Sequence, residues 1–142
     1  MYKKILIPLE NSATDQVILE HVKSLVKLTG ANLLLLHVAD GWAARNFHQL
    51  KLAESEEMKD DREYLEKVAK DLRGDGFIVD TQLALGNPPT EILKAAKAGS
   101  FDLIAMAGHG HRLFGDIFHG STITEVRHRT TIPILVVRAQ KK

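Results

Sequence analysis

A chain of 142 residues with 44% apolar and 26% charged side chains has the balance of one folded domain and excludes a disordered or fibrous polypeptide. With 19 Lys and Arg against 18 Asp and Glu there is no overall field to draw nucleic acid or an acidic membrane surface, so any affinity for phosphate has to be local. The absence of cysteine removes disulfides, thiolate catalysis and cysteine zinc sites together, and it suits a reducing compartment.

Met1 to Lys4 lead straight into Ile5-Leu6-Ile7, too short for a signal segment or a membrane span, so the expected setting is the cytoplasm. Ile5 to Pro8 reads as a buried first strand. Ser12 followed by Asp15 resembles a capping box, and Val17, Ile18, His21, Val22, Leu25, Val26 and Leu28 repeat at helical spacing up to Gly30. Asn32 to Val38 holds a run of four leucines that suits a strand or a helix; its length and its flanks favour the strand.

From Asp40 to Lys51 the periodicity dissolves, with Trp42, Phe47 and His48 in no clean pattern, as expected of a lid, a partner surface or a long connection. Glu54 to Leu72 is rich in helix formers, with Met58, Leu65, Val68, Ala69 and Leu72 as a narrow apolar stripe. Phe77 to Leu85 reads as the third strand. Gly86-Asn87-Pro88-Pro89 then supplies a turn, an N-cap and a proline-compatible helix start for Ile92 to Ala96.

Phe101 to Ala107 is an apolar run of strand length, and Gly108-His109-Gly110 follows it. Nine residues later Gly120-Ser121-Thr122 opens a helix of about Ser121 to Arg129, and Ile132 to Val137 forms the last strand. Glycines between a strand and a helix let the backbone approach an anion closely, and the free N–H groups of the first helical turn point at it. Phosphate or nucleotide binding is therefore the first expectation. Strict alternation of strands and helices predicts a single doubly wound α/β domain over residues 1–142, a five-stranded parallel sheet with helices on both faces. With strand order 3-2-1-4-5, the ligand crevice lies between the first and fourth strands, where Pro8-Leu9-Glu10 faces Ala107 to Arg112.

Other chemistries are less well supported. His109, His111, His119 and His128 lie near Asp116, but their spacing matches no compact metal motif, so they are read as polar loop and helix-surface groups and no metal site is assigned. His111 and Arg112 follow the glycine turn directly and are placed as phosphate neighbours. His37 ends an apolar strand and is read as a satisfied core or edge histidine. Glu10 is read as a ribose hydrogen-bond acceptor, ahead of an exposed acid at a strand end, a base, or a ligand for Mg²⁺ on a triphosphate. No lysine follows Gly120, so the dedicated ATPase phosphate loop is absent; slow hydrolysis is the most that is expected. Ser121 lacks an oriented His and acid, so no catalytic residue is assigned.

The spacing Gly110, nine residues, Gly120-Ser121 resembles the universal stress protein family. So do the opening Met-Tyr-Lys-Lys-Ile-Leu-Ile-Pro, His37-Val38, Gly86-Asn87-Pro88 and Pro133 to Val137, and the likeness covers essentially the whole chain. Two positions depart from the family pattern: Ala107 replaces its first glycine, with Gly108 one place later, and Glu10 replaces the usual aspartate. The resemblance implies a dimeric stress-response protein that binds ATP or another adenine nucleotide. Pro8, Glu10 and Val38 would take the base and sugar, Met106 an adjacent wall, and Ala107, Gly110, Gly120, Ser121 and Thr122 the phosphates. It also implies a homodimer through the apolar last strand, Ile134 to Val137. Two further readings stay open: a nucleotide-free dimeric module that holds a partner such as a transporter through Trp42 to His48, and a metal-responsive protein using His109, His111 or His119.

Overall fold

The computed structural model describes residues 1–39, 56–109 and 120–139. In these, strands and helices alternate as β1 (Lys4–Pro8), α1 (Asp15–Thr29), β2 (Asn32–Ala39), α2 (Glu56–Gly74), β3 (Val79–Leu85), α3 (Pro88–Ala98), β4 (Leu103–His109), α4 (Gly120–Arg129) and β5 (Ile134–Ala139). The sheet has five strands in the order β3-β2-β1-β4-β5, as the alternation predicts, and every pairing is parallel. Among the described residues no helix is long and apolar enough to cross a membrane.

The leucine run of β2 becomes a strand because it is buried on both faces. Leu33 and Leu35 join Ile5, Ile7, Leu103, Ala105 and Ala107 in a core shared with α1 and α2, while Leu34 and Leu36 face the opposite core with Leu6, Ile104 and Met106. That alternation is the period of two that a strand imposes, and each face needs a helical layer. Ile18, Val22 and Val26 of α1 and Leu65, Val68, Ala69 and Leu72 of α2 cover the first face. Ile92, Ala95 and Ala96 of α3 and Val126 of α4 cover the second.

Local chemistry sets the ends of these elements. Gly30 closes α1 in the left-handed conformation (φ 70), and its N–H reaches the Val26 carbonyl at 2.7 Å. Asn87 opens α3, its side-chain oxygen accepting from the Thr90 N–H at 3.3 Å, with Pro88 in the first turn.

Five sequence expectations shift. Leu28, read as part of the α1 stripe, is 87% exposed in the last turn of that helix. β3 begins at Val79 rather than Phe77, and β5 at Ile134, past Pro133. The supposed capping box before α1 is replaced by a different arrangement around Asp15, described below. β4 runs two residues beyond Ala107, because Gly108 and His109 pair with Arg138 and Ala139 of β5.

Candidate functional site

β1 is the shortest strand among its neighbours, and its end builds a notch in the sheet. Pro8 pairs with Leu36 of β2. On the other side the ladder pairs Ile5 with Leu103 and Leu6 with Ile104, a register that sets Pro8 level with Met106. Above that level β2 continues through His37, Val38 and Ala39, and β4 through Ala107, Gly108 and His109. Both neighbours thus stand about 10 Å above the end of β1, and the gap between them is two interstrand spacings, roughly 9–10 Å. Pro8 and Leu9 form the floor, with Val38, Met106 and Ala107 buried beside it. The notch lies where the strand order reverses, at the carboxyl ends of the strands.

The chain leaves β1 through a tightly held loop. Asp15, at the start of α1, accepts hydrogen bonds from the backbone N–H groups of Glu10 (3.0 Å), Asn11 (2.9 Å) and Ser12 (3.3 Å). The Tyr64 hydroxyl donates to the same carboxylate at 2.5 Å. Asn11 takes a left-handed conformation (φ 65), which Asn tolerates better than most residues, and this turns successive N–H groups toward Asp15. Asp15 therefore reaches back to the Ser12 N–H as the acid of a capping box does. The Ser12 hydroxyl, however, donates to Glu10 Oε2 (3.1 Å) instead of capping the helix. Thr14 adds a longer contact to the same oxygen (3.4 Å), so the buried Glu10 carboxylate, two residues past the end of β1, is held by hydroxyls of its own loop.

A second buried network stands behind this loop. His37 Nδ1 lies 2.8 Å from the Leu9 carbonyl, and a carbonyl only accepts, so Nδ1 carries a proton. Its Nε2 lies 3.1 Å from Asp61 Oδ2, and Asp61 Oδ1 accepts from the Asn11 side-chain amide at 3.0 Å. His37 is the satisfied histidine expected from the sequence. Burial, followed by the Asp15 hydrogen bond and the charges of Asp15 and Glu10, pushes the Tyr64 hydroxyl well above its ordinary value, so it remains a donor.

The register brings Pro8, Val38, Met106 and Ala107 together at the notch, with Glu10 two residues past the end of β1. Gly108 lies within β4, and it is not among the positive-φ residues Gly30, Gly76 and Gly86. It is a strand residue rather than the flexible residue of a turn. A Cβ there would stand 3.0 Å from Val136 Cγ1, so the position is small because β5 packs against it. His109 closes β4. Gly110, His111 and Arg112, like Asp116, His119 and the Trp42 to His48 segment, lie outside the described residues. Gly120 and Ser121 open α4, and Thr122 is buried in its first turn. Because α4 follows β4 and returns the chain to parallel β5, it starts at the carboxyl end of the sheet, on the side of the notch. Its first turn has no acidic residue, whereas those of α1 and α3 carry Asp15 and Glu91.

Asp61, Asn11 and Tyr64 were not singled out by the sequence reading, and Asp15 only as the acid of a capping box. Asp61 did leave a signal: Met58, Asp61, Leu65, Val68 and Leu72 fall on one helical stripe, and a carboxylate within an apolar stripe marks a buried, partnered acid. Among the described residues no group of three or more His, Asp or Glu is placed to hold a metal ion. A groove of about 690 Å³ along α3, β2 and β3 is lined by Lys4, Gln82, Glu91 and Lys94 among others, and shares no residue with the notch.

A sequence profile described as the universal stress protein family matches residues 1–138. Universal stress protein MJ0577 of Methanocaldococcus jannaschii is 33% identical over 158 aligned positions, covering 97% of this chain and 96% of that protein. A solved structure of MJ0577 superposes with a TM-score of 0.83 at 30% identity, over 100% of this chain and 99% of that one. A universal stress protein from Archaeoglobus fulgidus in complex with dAMP shares the fold at a TM-score of 0.70 and 17% identity, covering 96% and 98% of the two chains. Another solved in complex with cAMP gives 0.67 and 13%, covering 98% of each chain.

Proposed function

Since the chain belongs to the universal stress protein family, we propose that it binds an adenine nucleotide, ATP foremost, across the notch between β1 and β4 and acts as a dimeric stress-response regulator in the cytoplasm. The observation that carries this reading is the notch itself: a slot at the strand-order reversal, facing a helix whose first turn brings no acid of its own. The nucleotides in the dAMP and cAMP complexes of two family members support the ligand class.

In this reading Pro8, Val38 and Met106 take the base. Glu10 accepts from the ribose, and it holds Mg²⁺ where a triphosphate is present. The phosphates lie over Ala107 and Gly108, with His109, Gly110, His111 and Arg112 alongside, and against the N–H groups of Gly120, Ser121 and Thr122. A helix N-terminus contributes roughly 0.3–1 kcal/mol per charge when exposed, so several such donors and the Ser121 hydroxyl act together. No lysine follows Gly120 as it does in the phosphate loop of dedicated ATPases, so any hydrolysis in this reading is slow. The homodimer forms through the edge of β5, where Val136 is 40% exposed.

The test is Gly120→Val. The added side chain occupies the phosphate space, so the variant keeps the wild-type circular dichroism and loses ATP binding in calorimetry. Wild-type affinity in that variant means the phosphates lie elsewhere. Wild-type protein that neither carries nucleotide in native mass spectrometry nor shows a thermal shift with millimolar ATP and Mg²⁺ removes the nucleotide reading altogether.

A further inference from the structure

α2 packs on the β2 and β3 wing of the sheet, yet two of its side chains reach past that wing to the loop that leaves β1. Asp61 binds the Asn11 side chain with one oxygen and His37 with the other, and His37 in turn holds the Leu9 carbonyl. Tyr64, three residues further along the helix, binds Asp15, which holds the N–H groups of Glu10, Asn11 and Ser12. Residues 9 to 12 are thus each tied, by backbone or side chain, to a group that α2 fixes. Packing alone does not call for this. Asp61 interrupts an otherwise apolar stripe, and a buried carboxylate is a poor choice for stability when an apolar side chain would fill the place. What a fully partnered polar network does provide is one defined geometry.

We propose that Asp61 and Tyr64 are positioning residues for the nucleotide site: through Asn11, His37 and Asp15, α2 sets the conformation of residues 9 to 12 and so the placement of the Glu10 carboxylate at the notch. The proposal rests on the nucleotide reading above. It makes α2 and the ligand thermodynamically coupled, since a helix that fixes the loop favours the ligand and a ligand that fixes the loop favours that helix position.

The experiment compares Tyr64→Phe and Asp61→Asn with Val68→Ala, a core substitution on the same helix whose side chain forms none of these hydrogen bonds. Amide hydrogen exchange is followed in the ligand-free proteins, and ATP affinity with Mg²⁺ is measured well below each melting temperature. Tyr64→Phe deletes one hydroxyl and keeps the ring, so it is informative even if Asp61→Asn folds poorly. Both loop variants exchange the amides of Glu10, Asn11 and Ser12 faster and bind ATP about tenfold more weakly, as expected for a lost hydrogen bond to a charged group. Val68→Ala lowers the melting temperature but leaves the affinity unchanged. Wild-type affinity in Tyr64→Phe, or loop exchange no faster than in Val68→Ala, overturns the positioning role and leaves the nucleotide reading standing. Failure of the wild-type protein itself to bind ATP removes both.

Discussion

At the scale of single residues, the acids around the notch are each held by donors: Asp15 by backbone N–H groups, Glu10 by hydroxyls and Asp61 by side chains. Asp15 is almost fully buried, which is tolerable because three N–H groups and a hydroxyl surround its oxygens. Tyr64 has the converse problem. Its ionised form would sit against Asp15 in a desolvated place, so the folded protein resists deprotonation more than the unfolded chain does. Its contribution is therefore complete below the unfolded value near about 10 and is lost as pH rises beyond it. Urea titrations at a series of pH values between about 9 and 11 should show wild-type stability falling more steeply than that of Tyr64→Phe. Parallel curves would remove Tyr64 from the account. These residues were hard to read in the sequence for one reason: charged side chains default to solvent, and only tertiary partners, one of them 49 positions away, make Asp15 a buried acceptor. That Pro8 and Ala107 border one crevice was legible, because short apolar runs mark buried strands and their alternation with helices gives the strand order.

At the scale of elements, the helices are started by different devices, and the sequence shows one of them openly. Asn87 before two prolines is a local signal, and the structure honours it with the bond from Thr90. Asn87→Ala should cost about 1 kcal/mol in urea unfolding, with the sheet unaffected, as at other N-caps. A loss near zero would mean that the prolines alone fix the start of α3. The start of α1 was misread because its acid serves the preceding loop, a purpose that sequence spacing does not reveal. The end of β4 was misread for a related reason. Glycine after an apolar run suggests a turn, but Gly108 is small to admit Val136 of the next strand, and that neighbour is 28 residues away in the chain. Strand existence and order were legible from alternation; strand ends depend on partners.

At the scale of the whole molecule, the doubly wound sheet follows from the alternation of elements, while assembly does not. β5 ends the sheet with apolar residues on both faces: Ile134 against the α3 and α4 core, Leu135 and Val137 against that of α1 and α2. An edge of this kind pairs with another chain or is blunted by charge, and only Arg138 supplies charge within β5. Val136→Lys should convert a dimer to a monomer in sedimentation at micromolar concentration without changing the far-ultraviolet spectrum. A wild-type chain that already sediments as a monomer would rule out the β5 dimer.

The short ladder between β1 and β4 also bears on how the chain comes together. Every other pairing in the sheet joins strands that follow one another in the chain, whereas β1 meets β4 across nearly a hundred residues through two register pairs, helped by the Asp102 carboxylate on the Lys3 and Lys4 N–H groups. Contacts so distant in sequence form late, after the β1 to β3 wing and the β4 to β5 wing have each gained local order. The last seam to close during folding is then the one that frames the notch. A molecule seated there would stitch the two halves together, acting as a clasp that shifts the equilibrium away from two loose pieces by mass action.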